Sequence, residues 1–399
     1  MIHYFAVKNF YSFRKTSGIN FEVNKNAPET KAYIEGACGK RVTKVMTVIG
    51  PNASGKTNLL KVIPFISFFI TSSSYDLRPN EEIPFKNFQL TPINDQNTEI
   101  TVEFEIKKKL YLYRVQLNRT MVLLESLKIY NKKTKKFSVV FTRKWNSVNK
   151  EYKFISDKRF NLVSRFYESV RKNVSVISAA TQLDNDLSNE IYEYWYNVDA
   201  NVAEMGKHSH DTMNDISEIY AKNKKLKEVA SRILSKFNLG LIDFSVEKFT
   251  LDKMSNEERY VPFFTHKSRN KAIKFPYYYE SAGTISLYKT LVHVLSRLNL
   301  GGIAVLDDFD SDLHPHMLPE LVKLFISKDT NPKNAQLLFT THHHEVLNNL
   351  DKYQITLVEK NEETGESESW RLDEIEGVRP DDNYYAKYFS GSYGAIPEV

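Results

Sequence analysis

Apolar and polar positions change their period several times along the chain, and each change marks a predicted element. Residues 2–7 are apolar and β-prone, and residues 19–23 alternate, so two strands are expected around the polar-aromatic turn Asn9-Phe10-Tyr11-Ser12-Phe13-Arg14. Residues 25–43 read as loop. An apolar β-prone run at 45–49 is followed, from Asn58 onward, by a helix reaching about residue 72. Residues 73–97, rich in Ser, Pro, Asn and Asp, read as loop. Over 99–142 the period is two, with segments at 100–104, 110–117, 122–130 and 137–141. Lys107-Lys108-Lys109 and Lys132-Lys133-Thr134-Lys135-Lys136 fall where hairpin turns belong, so a meandering antiparallel sheet is expected with solvated lysine turns.

The period turns helical over 158–240, at 160–167, 187–195 and 216–237. This predicts a helical insertion with a polar centre near 206–215 and an end at Gly240. Strands are expected again at 242–249 and 260–266. From residue 280 the pattern is α/β: helix 284–298, buried strand 302–306, helix 313–326, then strands 336–339 and 353–358.

Composition narrows the class. Hydrophobic residues make up 41% of the 399 and aromatics 13%, enough for a sizeable core and unlike a disordered chain. The net charge of +6 permits a nucleic-acid surface without requiring one. Cys38 is the sole cysteine, so no internal disulfide can form. The opening residues do not read as a signal peptide, and the run 59–71 contains Lys61 and Pro64 and is short for a bilayer. A cytoplasmic protein without membrane partners is expected.

The chemistry concentrates at Gly50-Pro51-Asn52-Ala53-Ser54-Gly55-Lys56-Thr57, which fits G-x-x-x-x-G-K-S/T between a strand and a helix. Backbone N–H groups turned inward by the glycines would cradle an anion, helped by the helix N-terminus. Lys56 would reach the β- and γ-phosphates of ATP, and the Thr57 hydroxyl would ligate Mg²⁺. Downstream, Asp307 ends an apolar strand, the place for a Mg²⁺-ordering carboxylate, and Asp308 can orient the attacking water. Of the three histidines His342-His343-His344, one at the strand end can bond a γ-phosphate. Adjacent side chains diverge, which argues against a chelate from all three. Ser281-Ala282-Gly283-Thr284 opens a helix in the manner of an anion-binding cap, a pattern that is often only a cap.

The order of these motifs, completed by Leu306-Asp307-Asp308-Phe309-Asp310-Ser311-Asp312-Leu313-His314-Pro315, resembles the ABC-type ATPases of the SMC/RecF/OLD group. It is most similar to the compact bacterial AAA-family ATPases of phage-defence and abortive-infection loci. Val7-Lys8-Asn9-Phe10-Tyr11-Ser12-Phe13 resembles their first strand, and Tyr388-Phe389-Ser390-Gly391-Ser392-Tyr393-Gly394-Ala395-Ile396-Pro397 their tail.

The resemblance implies an α/β fold: an ABC-type P-loop ATPase head with an antiparallel β-arm and a helical insertion. Residues 1–157 and 241–399 would form its two halves around the insertion at 158–240. It implies a Walker A loop over residues 50–57 with Asn58 beside it, and a Q-loop residue at Gln89. Ser281, Ala282, Gly283 and Thr284 stand for the signature that caps ATP held by a second protomer. Asp307 is the Walker B aspartate, Asp310, Ser311 and Leu313 lie in the D-loop, and His342 is the switch histidine.

One position departs from the family, which usually has Glu where this chain has Asp308. A side chain one methylene shorter misses its water by about an ångström, a misplacement that costs on the order of 10²-fold, so slow hydrolysis is expected. The expected protein is an ATPase that assembles at least as a dimer through ATP-bound heads. It would respond to a phage-derived trigger and control an effector encoded beside it, as in PARIS-like systems. Two alternatives stand open: a DNA-repair ATPase of the RecF kind, and an ATP-bound scaffold with little turnover. The chain itself is not expected to be a nuclease, because the segment after His342 is short for a TOPRIM domain.

Overall fold

The computed structural model describes residues 1–90, 97–207, 212–237, 240–250, 258–269 and 271–396. The loop reading at 91–96, the middle of the polar centre at 208–211 and Pro397 lie outside the described residues.

A six-stranded sheet stands at the centre, in the order Val198–Ala200, Ile303–Leu306, Gln336–Thr340, Val45–Ile49, Ile355–Lys360, Ser367–Arg371. All neighbouring pairs run parallel except the last. Parallel strands covered on both faces need continuous apolar runs, and every residue of Val45–Ile49 and Ile303–Leu306 is buried. Successive residues feed two different cores. Met46 and Val48 pack into one, while Val45 and Ile49 pack into the other. The sheet is therefore a wall between two apolar clusters.

On one side lies a seven-stranded sheet, ordered Glu151–Ser156, Lys136–Asn146, Val122–Asn131, Lys109–Leu117, Thr98–Ile106, Ile2–Lys8, Ser17–Asn20. Its pairs are antiparallel, as the period of two predicts, and Lys107–Lys108 and residues 132–135 are its turns. Inward-facing Ile100, Val102 and Phe104 are fully buried. The other side carries the helices Ala282–Leu300 and Met317–Ile326, with Lys224–Phe237 and the hairpin Leu241–Thr250 with Glu258–Ser268 packed beside them.

The sheet order brings the C-terminal ends of Val45–Ile49, Ile303–Leu306 and Gln336–Thr340 together, because these strands are parallel and adjacent. That edge is where an open α/β sheet binds its ligand.

Several stretches depart from the expected pattern. Within 25–43, Arg41–Thr43 pairs antiparallel with Tyr33–Glu35 on one side and with Glu22–Val23 on the other, forming a small sheet. Strands of two or three residues are too short to show a period. The stretch 158–240 is helical at Ser164–Ser169, Val176–Ala180, Asp186–Tyr196, Met213–Lys222 and Lys224–Phe237. It also carries Val198–Ala200 into the central sheet, a strand its helical surroundings conceal. The helix expected over 313–326 begins only at Met317. Asp308 (φ 45°) and Asp312 (φ 62°) turn left-handed, and residues 307–316 form turns and irregular chain.

Candidate functional site

Thr57, Asp307 and Thr340 come from three different segments and meet through one carboxylate. The Thr57 Oγ1 hydroxyl donates to Asp307 Oδ2 at 2.8 Å, and Thr340 Oγ1 donates to Asp307 Oδ1 at 2.7 Å. With both oxygens engaged and its side chain buried, Asp307 has a fixed orientation. The hydroxyl and carboxylate form a hard oxygen pair of the kind Mg²⁺ prefers, so Thr57 and Asp307 fit that ion. Bound there, it would neutralise phosphate charge.

The loop around them is built by close approach. Gly55 takes φ 113°, and a Cβ there would lie 2.6 Å from Ser367 Oγ and 2.8 Å from Ser12 Oγ, so only glycine fits. Asn58 Nδ2 donates to the same Ser12 hydroxyl at 3.0 Å. Lys56 opens the helix Lys56–Leu60, and its Nζ donates to the carbonyls of Gly50 and Pro51, both at 2.8 Å. Burial pushes the Lys56 pKa down, while Asp308 and Asp307 pull it back.

Asp308 faces the loop across a cavity of about 360 Å³ whose lining includes Asn52, Ala53, Gly55, Lys56, Asp308 and His342. Its backbone N–H donates to Thr340 Oγ1 at 2.7 Å, and its Oδ1 lies 3.1 Å from His342 Nε2. The short side chain thus still meets the histidine at the strand end. Asp310 is buried and its Oδ2 accepts from the backbone N–H groups of His342 and His343, at 3.2 and 3.1 Å. This ties the aspartate turn to the histidine turn. His344 is held near pKa 4 chiefly by burial, with the Lys56 ammonium adding to the effect, so its ring stays neutral at ordinary pH. Among the described residues no group of three or more His, Cys, Asp or Glu could hold a metal ion.

Two candidates lie elsewhere. Gln89 is exposed, donates to Asn87 Oδ1 at 3.3 Å, and does not line the cavity. Ser281 caps the helix Ala282–Leu300 by accepting from the Thr284 N–H, and none of Ser281 to Thr284 lines the cavity of its own chain. They sit against the turn 311–312 instead. A Cβ on Gly283 would lie 2.7 Å from the Asp312 carbonyl oxygen, and Ser286 Oγ donates to the Ser311 carbonyl at 2.8 Å. Leu313 is buried in the second core, with its N–H bonded to the Asp310 carbonyl.

Asn201 escaped the sequence reading. Its Oδ1 accepts from the Asp307 N–H at 2.7 Å and its Nδ2 donates to the Asp307 carbonyl at 2.9 Å, as a further sheet strand would. An isolated asparagine after an unrecognised strand carries no signal. Asn201→Ala strands both backbone groups and is expected to lower stability by about 1–3 kcal/mol, read as a shifted urea midpoint with an unchanged slope.

A strand, phosphate loop and helix facing two acidic residues across parallel strands form the framework of a P-loop nucleotide-binding protein. The family described as "AAA domain, putative AbiEii toxin, Type IV TA system" matches residues 45–348, and the chain belongs to this AAA ATPase family. No curated protein matches it. Solved structures similar to it include the SMC head domain from Thermotoga maritima, at 13% identity and TM-score 0.42, covering 93% of this chain and 98% of that one. Another is the Smc head domain with an extended coiled coil bound to the C-terminal domain of ScpA, derived from Pyrococcus furiosus. It is 13% identical with TM-score 0.45, and the match covers 94% of this chain and 97% of that one.

Proposed function

We propose that this protein binds Mg²⁺-ATP at the loop 50–57, hydrolyses it slowly, and does so at a site shared between two copies. The observation that supports this most is the convergence of Thr57, Asp307, Asp308 and His342 around Lys56. Lys56 and the loop N–H groups would hold the phosphates, and Thr57 with Asp307 would hold the ion. Asp308 would take the proton from the attacking water, and His342 would bond the γ-phosphate. Ser281 to Thr284, exposed or half-exposed apart from Thr284 and outside the lining of their own loop cavity, would cap ATP held by the partner copy. The family's description names a toxin and a toxin–antitoxin system. We place the chain as the sensor subunit of an anti-phage system that restrains or releases an effector from the same locus.

Steady-state ATP hydrolysis by Asp308 variants tests the chemistry. Asp308→Ala is expected to lower kcat by about 10²-fold or more, and Asp308→Glu, with its longer reach, to raise it by roughly tenfold. Unchanged turnover in Asp308→Ala would remove Asp308 from the chemistry; a wild type that hardly turns over, with ATP-dependent assembly unaffected by Asp308→Ala, would leave an ATP-bound scaffold as the better reading.

One observation favours a DNA-binding role beside this one. Lys144 stands directly opposite Lys153 at the outer edge of the seven-stranded sheet, both exposed. Like charges placed opposite destabilise a sheet, which an anionic ligand would relieve. Duplex-stimulated turnover with a steep salt dependence would favour the repair reading.

A further inference from the structure

We propose that Lys207 is a positioning residue of the hydrolytic site, holding the Asp308 carboxylate and joining it to the D-loop serine Ser311. This rests on the reading of Asp308 as the group that serves the attacking water.

Asp308 lies on a wall between two cavities. On one side is the phosphate-loop cavity, where its Oδ1 meets His342. On the other is a cavity of about 590 Å³ whose lining includes Lys207, Ala282, Ser286, Lys289, Asp308 and Ser311. Lys207 reaches Asp308 from this second side. Its Nζ lies 3.7 Å from Asp308 Oδ2 and donates to the Asp308 carbonyl at 3.3 Å and to Ser311 Oγ at 2.5 Å. The ammonium has three N–H donors, and three oxygens surround it. Ser311 Oγ in turn donates to the Asp308 carbonyl at 2.9 Å, and Ser286 of the helix behind the signature donates to the Ser311 carbonyl. Carboxylate, D-loop and signature helix are thus linked through one lysine.

The lysine is delivered by a built support. Val198–Ala200 pairs with Ile303–Leu306, the strand that leads into Asp307. Asn201 then grips the Asp307 backbone, and a two-residue hairpin, Val202–Ala203 with Gly206–Lys207, turns the chain back. The Tyr11 hydroxyl pins the hairpin turn by donating to the Glu204 carbonyl at 3.2 Å. Stability is a poor reason for the contact: both side chains are more than a third exposed (37% and 34%), and ion pairs of that kind contribute little. Orientation is the better one. A carboxylate gripped at one oxygen by His342 alone can swing about its side-chain bonds. With the Lys207 ammonium as an ion-pair partner 3.7 Å from the other oxygen, that swing is restrained.

The test compares steady-state kinetics of wild type, Lys207→Met, Lys207→Arg, Ser311→Ala and the Lys207→Met/Ser311→Ala double variant, with thermal midpoints and binding of a fluorescent ATP analogue. Lys207→Met is expected to lower kcat by about tenfold or more while KM and analogue affinity stay within roughly twofold. Lys207→Arg should recover most of the loss. The double variant should be no slower than Lys207→Met alone, because both act through one contact. Turnover unaffected in Lys207→Met overturns the proposal. So does a raised KM at unchanged kcat, which would make the lysine a nucleotide contact, or an arginine variant as slow as the methionine one. A wild type that binds the analogue without turnover overturns the underlying reading instead, and that result is distinct from an active wild type matched by an equally active Lys207→Met.

Discussion

Lys56→Ala is expected to abolish ATP turnover, with kcat/KM falling by about three orders of magnitude or more. Among the described residues, Lys56 is the one lysine or arginine lining the phosphate-loop cavity. It is buried and bonded to the Gly50 and Pro51 carbonyls, which hold its ammonium at the mouth of the loop. Its role would be to meet phosphate charge, and no neighbour can replace it there. The fold should not suffer in proportion. Alanine removes a desolvated charge together with two hydrogen bonds, and these terms oppose each other. The paired measurement is hydrolysis and nucleotide affinity beside a urea unfolding curve. Lost turnover with a near-native unfolding midpoint is the expected pair. Turnover kept within tenfold would remove Lys56 from the chemistry.

Gly283→Val is the second large effect. The Asp312 carbonyl already lies where a Cβ at residue 283 would have to sit, at 2.7 Å, so the helix Ala282–Leu300 and the D-loop must move apart. The phosphate loop does not include this contact, and ATP should bind the variant as it binds the wild type. On the proposed reading, in which residues 281–284 cap the partner's ATP, turnover should fall by about 10²-fold or more, because a displacement of an ångström would break that contact. Mixing supplies the decisive arm. Lys56→Ala has an intact signature, and Gly283→Val has an intact loop. If subunits exchange, half the dimers are mixed and each carries one complete site, so an equal mixture should recover roughly a quarter of wild-type turnover. A mixture as silent as its components, with exchange demonstrated, would mean that each chain completes its own site.

The placement of the loop residues was legible because they sit next to one another in sequence or at the ends of apolar strands. Lys56, Thr57, Asp307 and His342 all belong to such runs, and Val45–Ile49, Ile303–Leu306 and Gln336–Thr340 are marked by continuous burial. The long antiparallel strands announced themselves through alternation and lysine turns. What stayed hidden depends on pairing at a distance. Val198–Ala200 is too short to carry a period, so the contribution of its segment to the central sheet, and with it Asn201 and Lys207, could not be read. Thr340 stood inside a recognised motif, yet its bond to Asp307 exists only because the two strands are neighbours. Ser367–Arg371, which closes the sheet antiparallel, is polar enough to pass for loop.

The central claim is that ATP joins two copies of this chain. The most direct test is the solution mass of Asp308→Ala, a variant meant to bind ATP and hold it, by light scattering with and without Mg²⁺-ATP, beside Lys56→Ala. The account predicts a shift from monomer toward dimer mass in Asp308→Ala on adding ATP and none in Lys56→Ala. A mass that ignores ATP in Asp308→Ala, with nucleotide binding confirmed in the same sample, would contradict it.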